Sequence, residues 1–183
     1  MEYELILRVC EVTDRIYDFN SYIYRLVTCK AETDEPCDTL IPIDVNVSQD
    51  DVVSVKKCKL VRIEYDNKHI ITAVRIDKLE VMDKGTEISQ YFNIPFLGLI
   101  KRYHGEDLTL YGPDKISFLK VGLRMRDSDK NPFTVKLLGF DDKAELLDSF
   151  DRFTIISGIA TLKRCRRKKG HELVLVSAKP YKK

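Results

Sequence analysis

The amino-acid sequence predicts an all-β protein with one short helix, arranged as two small barrels in tandem. Three observations carry that expectation. The 183 residues divide comfortably into two domains, each of roughly 80–90 residues. Short apolar segments rich in β-branched and aromatic residues recur along the whole chain, separated by polar turns. Residues 141–150 alone show convincing helical spacing, and they fall between the third and fourth strands of the second half.

In the first half, YELILRVCEV (3–12), SYIYRLVTCKA (21–31), TLIPIDVNV (39–47), KCKLVRIEY (57–65) and HIITAVRIDKLEV (69–81) read as five strands. The polar stretches TDRIYDFN, ETDEPCD, SQDD and YDNK separate them, and the Asp-Asn pair before Lys68 is a tight-turn signal. A break follows at MDKGTEISQYF (82–92), where Gly85 marks the domain boundary and EISQYFN reads as a short linking helix. The second half restarts with IPFLGLIKRYHG (94–105), a loop EDLTLYGPDK (106–115), ISFLKVGLRMRD (116–127) and PFTVKLLGF (132–140). The helix DDKAELLDSF (141–150) comes next, then the strands RFTIISGIATLKRC (152–165) and HELVLVSAKPY (171–181). Asp141 or Asp142 is expected to cap the helix, with Ala144, Leu146, Leu147 and Phe150 as its apolar stripe.

Five strands with a helix between the third and fourth is the connectivity of the OB-fold, a five-stranded Greek-key barrel. The first half repeats the five strands, with SQDDVVSV (48–55) as a shrunken substitute for the helix. The expected architecture is therefore tandem OB-folds, one domain over 1–84 and one over 85–183. No residue-level identity joins the halves; the repeat is one of pattern.

The second half resembles a known family. GLIKRYHG, then ISFLKVGLRMRDSDKNPFTVKLLGFDDKAELLDSFDRFTIISGIATLKRC, then HELVLVSA, together about 94–178, are similar to the DNA-binding OB domains of the replication protein A large subunit. The shared pattern is a strand leading into a loop, a long hairpin ending in a short helix, a strand with Gly before small or apolar residues (SGIATL), and a final strand opening on Glu-Leu. The likeness is one of pattern, with no invariant motif behind it, and is weaker over 3–81. It implies a tandem-OB single-stranded DNA-binding protein, of the kind a diverged viral replication system would carry.

Composition excludes several alternatives. No run of about 18 apolar residues exists, so no membrane-spanning helix is expected. Acids at the N-terminus, where a secretory signal carries Lys or Arg, point to an intracellular protein. Cys10, Cys29, Cys37, Cys58 and Cys165 lack C-x-x-C spacing and read as reduced core thiols; His69, His104 and His171 are scattered, so neither a metal nor another cofactor is expected. The Asp pairs at 50–51 and 141–142 point to opposite faces if extended, and no phosphate-cradling glycine loop or nucleophile elbow is present, so no enzyme is expected. Charge is split: residues 1–84 hold 12 Lys or Arg against 17 Asp or Glu, a net of −5, whereas 85–183 hold 19 against 12, a net of +7. A polyanion is the natural partner of the second half.

Within 116–127, Ser117, Leu119, Val121, Leu123 and Met125 alternate as a barrel face, leaving Phe118, Lys120, Gly122, Arg124 and Arg126 on the other. Thr134 and Lys136 continue that second face on the next strand. An aromatic with several cations suits a groove that holds phosphates and stacks bases. Lys101, Arg102, Tyr103 and His104 offer the same mixture in the first loop. Lys163, Arg164, Arg166, Arg167, Lys168 and Lys169 fill the loop before Gly170, the other loop that flanks an OB binding face. That run also matches an import signal, which favours the nucleus over the cytoplasm. The first half has aromatics at matching positions (Tyr17, Phe19, Tyr22, Tyr24, Tyr65) but few cations. Two readings stay open: base stacking through a locally neutral groove, or an acidic module for protein partners or self-association, to which the net charge of −5 leans. The expectation is a non-enzymatic, largely sequence-independent single-stranded DNA-binding protein serving replication, recombination or repair. The alternatives are an OB-fold assembly module or an RNA binder.

Overall fold

The computed structural model describes residues 4–66, 69–102, 107–126, 130–166 and 170–182. In chain order its elements are β1 (Leu5–Phe19), β2 (Tyr22–Lys30), β3 (Cys37–Pro42), β4 (Val52–Asp66), β5 (His69–Met82), β6 (Asn93–Lys101), β7 (Thr109–Tyr111), β8 (Ile116–Arg126), β9 (Pro132–Phe140), α1 (Asp142–Ser149), β10 (Ile155–Arg164) and β11 (His171–Pro180). The chain clusters into two compact units, Met1–Ile94 with Lys163–His171, and Pro95–Leu162 with Glu172–Lys183. Residues 85–94, which the boundary expected at Gly85 placed in the second domain, cluster with the first unit, as do the described residues 163–166 and 170–171.

The first unit is a closed barrel with strand order β1-β2-β3-β5-β4. Alternation explains its wall: Leu5, Leu7 and Val9 of β1 are fully buried, and the residues between them are only half-buried. Register shifts after Val9 and Val12 bend β1, so that its start pairs with β4 (Leu5 opposite Val55) and the rest with β2. A parallel pairing of β3 with β5 completes the ring. The first turn is shorter than expected: residues 13–19 continue β1, and the reversal occupies Asn20 and Ser21, both at positive φ, as a two-residue hairpin loop demands.

Two further expectations are corrected. The stretch 48–55 does not stand in for a helix: Val52, Val53, Ser54 and Val55 are buried at the start of β4, paired with β1 and β5. Ser48–Asp51 form the preceding turn, with Asp51 N–H donating to Ser48 O at 3.1 Å. The β-branched run finds more burial between two strands than a helix would give it. Nor is EISQYFN helical. It is an extended strap whose Ser89 N–H donates to Ile6 O (2.8 Å) and whose Ser89 and Gln90 carbonyls accept from Glu32 and Thr33. Pairing with backbone groups already at the barrel surface supplants the intrahelical bonds.

The second unit repeats the topology. Its sheet order is β6-β10-β11-β9-β8-β7, and an additional β6–β8 pairing links the ring β6-β8-β9-β11-β10. As in the first unit, the third and fifth strands of the ring run parallel, Leu173 opposite Leu137. Both units therefore have OB-fold connectivity. The loop 106–115 contains the short strand β7, which pairs with the start of β8. Helix α1 lies between β9 and β10 as expected, burying Ala144 and Leu147. It docks on Gly139, where a Cβ would meet Lys143 O at 2.8 Å and Ala144 N at 2.9 Å. The expected side-chain cap is absent. Asp141 holds the N-cap position with no side-chain capping bond, because its N–H is drawn to Ser117 O (2.7 Å) at φ 55.

Candidate nucleic-acid interface

The register of β6, β8 and β9 decides which cations share a surface. Lys101 is opposite Gly122, and Gly122 is opposite Lys136, so a residue without a side chain separates two lysines across three strands. The next row on the same face is Leu99, Arg124 and Thr134. Lys120 is opposite Leu138, Arg126 opposite Pro132, and Phe118 opposite Phe140. Residues facing each other across antiparallel strands project to one side, so Phe118, Lys120, Arg124, Arg126, Lys136 and Lys101 lie on one face of the sheet. The reverse face is apolar: Leu119, Val121, Leu123, Val135 and Leu137 are buried. Arg124, Arg126, Thr134 and Lys136 are exposed.

Aromatic rings border this face. Phe118 stands 5.1 Å from Phe140 and 5.6 Å from Tyr111, centroid to centroid, and Tyr111 is 5.9 Å from Phe140. Tyr111 is 59 % exposed, so the cluster presents one open ring backed by two others. Tyr111 and Phe140 were not among the expected site residues. The same alternation that gave Thr134 and Lys136 reaches Phe140 two steps later; Tyr111 carried no signal, since 106–115 reads as a loop.

The remaining site residues have different fates. Arg102 is turned to helix α1, its Nη1 2.9 Å from Asp148 Oδ1. Lys163 Nζ lies 3.2 Å from Asp34 Oδ1, whose side chain is 4 % exposed. Arg164 donates from Nε to Pro36 O (2.8 Å) and places Nη2 3.4 Å from the buried Asp38 carboxylate. Arg166 is exposed. Tyr103, His104, Arg167, Lys168 and Lys169 lie outside the described residues. The base of the basic run is thus engaged by two acids of the first unit.

In the first unit the aromatics line one end of the barrel. Tyr17, Phe19 and Tyr65 pack on a core that includes Tyr24, Leu26 and Ile63. The Tyr24 hydroxyl donates to Asp77 Oδ1 at 2.8 Å, and burial with that carboxylate pushes its pKa up to about 12. Arg75 bonds Asp77 at 2.7 Å and lies over the rings of Phe19 and Tyr24. These groups are already partnered with one another. Burial pushes the Cys29 and Cys37 thiols up to about 12, keeping them protonated. Among the described residues no cluster of His, Cys, Asp and Glu is placed to hold a metal ion, no disulfide joins the cysteines, and no helix is long and apolar enough to cross a membrane.

No protein-family model matches the chain, and no curated protein does. Among solved structures, a deletion mutant of the single-stranded DNA binding protein from Thermus aquaticus aligns with 98% of this chain and 94% of that chain, at 12% identity and a TM-score of 0.68. The wild-type protein aligns with 99% and 94%, at 13% identity and a TM-score of 0.65. A replication protein A heterotrimer bound to ssDNA aligns with 97% of this chain and 48% of that chain, at 12% identity and a TM-score of only 0.33. At these identities the Thermus likeness shows the fold, a tandem of OB-folds along the whole chain.

Proposed function

We propose that the protein binds single-stranded DNA without strong sequence preference, through the outer face of β6, β8 and β9. The observation that carries this reading is the segregation of that face: Lys101, Lys120, Arg124, Arg126 and Lys136 in register, bordered by Phe118, Phe140 and the open ring of Tyr111. Cations spaced along neighbouring strands suit a phosphate backbone, and an exposed ring suits the π-face that every base presents. The fold supports it, since the Thermus protein it matches is a single-stranded DNA binding protein. Lys163 and Arg164, being committed to Asp34 and Asp38, contribute less than the strand face. The work is binding rather than catalysis, in the service of replication, recombination or repair.

The first unit is assigned a different role, contact with a protein partner or a second copy. Its support is local. Tyr22 (72 % exposed), Ile23 and Ile43 border a cleft of about 520 Å³ with Asp44, Asp77 and Lys78, a largely apolar rim with two acids and a single cation.

The test is fluorescence anisotropy of a labelled oligo(dT) of roughly 30 nucleotides titrated with protein across a salt series. Tight binding at low salt is expected. Replacing Arg124, Arg126 and Lys136 by Ala should lower the log-log salt slope by about 2, near 0.7 for each lost phosphate contact. Binding no tighter than to a neutral polymer would overturn the reading. So would an unchanged slope in the triple variant. Competition with RNA and duplex DNA of equal length then separates the alternatives.

A further inference from the structure

The turn that leads from α1 into β10 carries an aromatic residue in a backbone conformation that suits glycine. Thr154 N–H donates to Asp151 O at 3.1 Å, closing a four-residue turn with Phe153 at its third position. Phe153 has φ 68, the geometry of a type II turn, where Gly is favoured because a Cβ crowds the backbone. Packing does not account for the choice, since Phe153 is 61 % exposed. The turn is nevertheless held firmly: Phe153 N–H donates to Ile100 O (3.2 Å), Ile100 N–H donates to Thr154 O (2.9 Å), and Arg152 Nη2 donates to Arg102 O at 2.6 Å.

The surroundings identify what the ring is for. The Arg152 guanidinium carbon is 5.8 Å from the Phe153 ring centroid. The ring's backbone is bonded to Ile100, the neighbour of Lys101, which begins the cationic row Lys101, Gly122, Lys136. An exposed aromatic on a firmly bonded turn, with the Arg152 guanidinium beside its ring, fits a nucleobase whose phosphate is held alongside. Strain kept at a rigid, exposed position is a mark of function rather than of folding. We propose that Phe153 is a base-stacking residue for single-stranded nucleic acid, with Arg152 beside it, at the edge of the β6 surface. The inference rests on the single-strand reading above and adds a contact outside the strand face.

Phe153→Gly tests it cleanly, because glycine occupies φ 68 without strain and the fold is preserved. Oligo(dT) affinity should fall about 5- to 150-fold, the range for loss of one stacked base, while the melting temperature stays level or rises. On an abasic strand of the same length, wild type and Phe153→Gly should bind alike. Phe153→Trp should restore oligo(dT) affinity. Equal oligo(dT) affinity of wild type and the glycine variant would overturn the assignment, as would an equal deficit on the abasic strand. Failure of the wild type to bind any single strand would instead remove the underlying reading.

Discussion

His171 shows how one side chain can be fixed in a single protonation state by what surrounds it. Its Nδ1 lies 2.7 Å from Thr72 O, a carbonyl that can only accept, so this nitrogen carries the proton. Nε2 then accepts from Asp38 N–H at 3.2 Å, which leaves both ring nitrogens satisfied in the neutral form. Burial drives the pKa below its ordinary 6.5, against the pull of the Asp38 carboxylate. The unfolded chain therefore binds this proton at a higher pH than the folded one. Stability from His171 is full above about 6.5 and is lost as the pH falls below it. Melting curves from pH 7.5 down to 5 should show a decline that His171→Gln flattens. A variant with the same pH slope as wild type would remove His171 as its source. Phe153 is the opposite case at this scale: its backbone conformation costs on the order of 1–3 kcal/mol, which the glycine variant should return in part.

At the scale of elements, close approach decides more than propensity. In β10, a Cβ on Gly158 would collide with the Ser177 carbonyl oxygen, and with Ser177 C at 2.8 Å. Both partners there are backbone, so neither strand can relieve the clash by a rotamer change. Gly158→Ala should therefore cost about 1–3 kcal/mol, as overpacked sites do, measured as a drop in urea midpoint at unchanged m. A loss below half a kcal/mol would mean that the β10–β11 pairing yields more easily than this geometry implies. Gly139 under α1 obeys the same logic. The strap EISQYFN shows the converse: a segment expected as a short linking helix is extended because carbonyls and N–H groups of β1 and the β2–β3 connection are within reach.

At the scale of the molecule, charge is organised rather than scattered. Within the first unit, acids of residues 1–84 offset part of the basic run. Asp34 accepts from Phe92 N–H at 3.1 Å and pairs with Lys163, and Asp38 pairs with Arg164. Asp34→Ala would leave a buried N–H and a lysine without their acceptor. The expected loss is about 2 kcal/mol of unfolding free energy, less than for a wholly buried pair because Lys163 is 45 % exposed. Denaturation of the intact chain measures it. An unchanged midpoint would show that the end of β10 is held by other contacts.

Much of this was legible in the residues. Period-two alternation over 116–126 and 132–140 determined both the buried face and the cationic one, because a strand projects successive side chains to opposite sides wherever it lies. The helix at 142–149 and the strand order followed from periodicity and turn residues, and with them the tandem OB-fold. Tertiary structure alone decided the rest. Lys163 and Asp34 are 129 residues apart, and no local pattern records that two such groups meet. The linker took the extended form because of partners in a distant strand, and 48–55 joined the sheet because the barrel offered its valines burial. Sequence periodicity fixes which way side chains point; only the closed fold determines which of them meet.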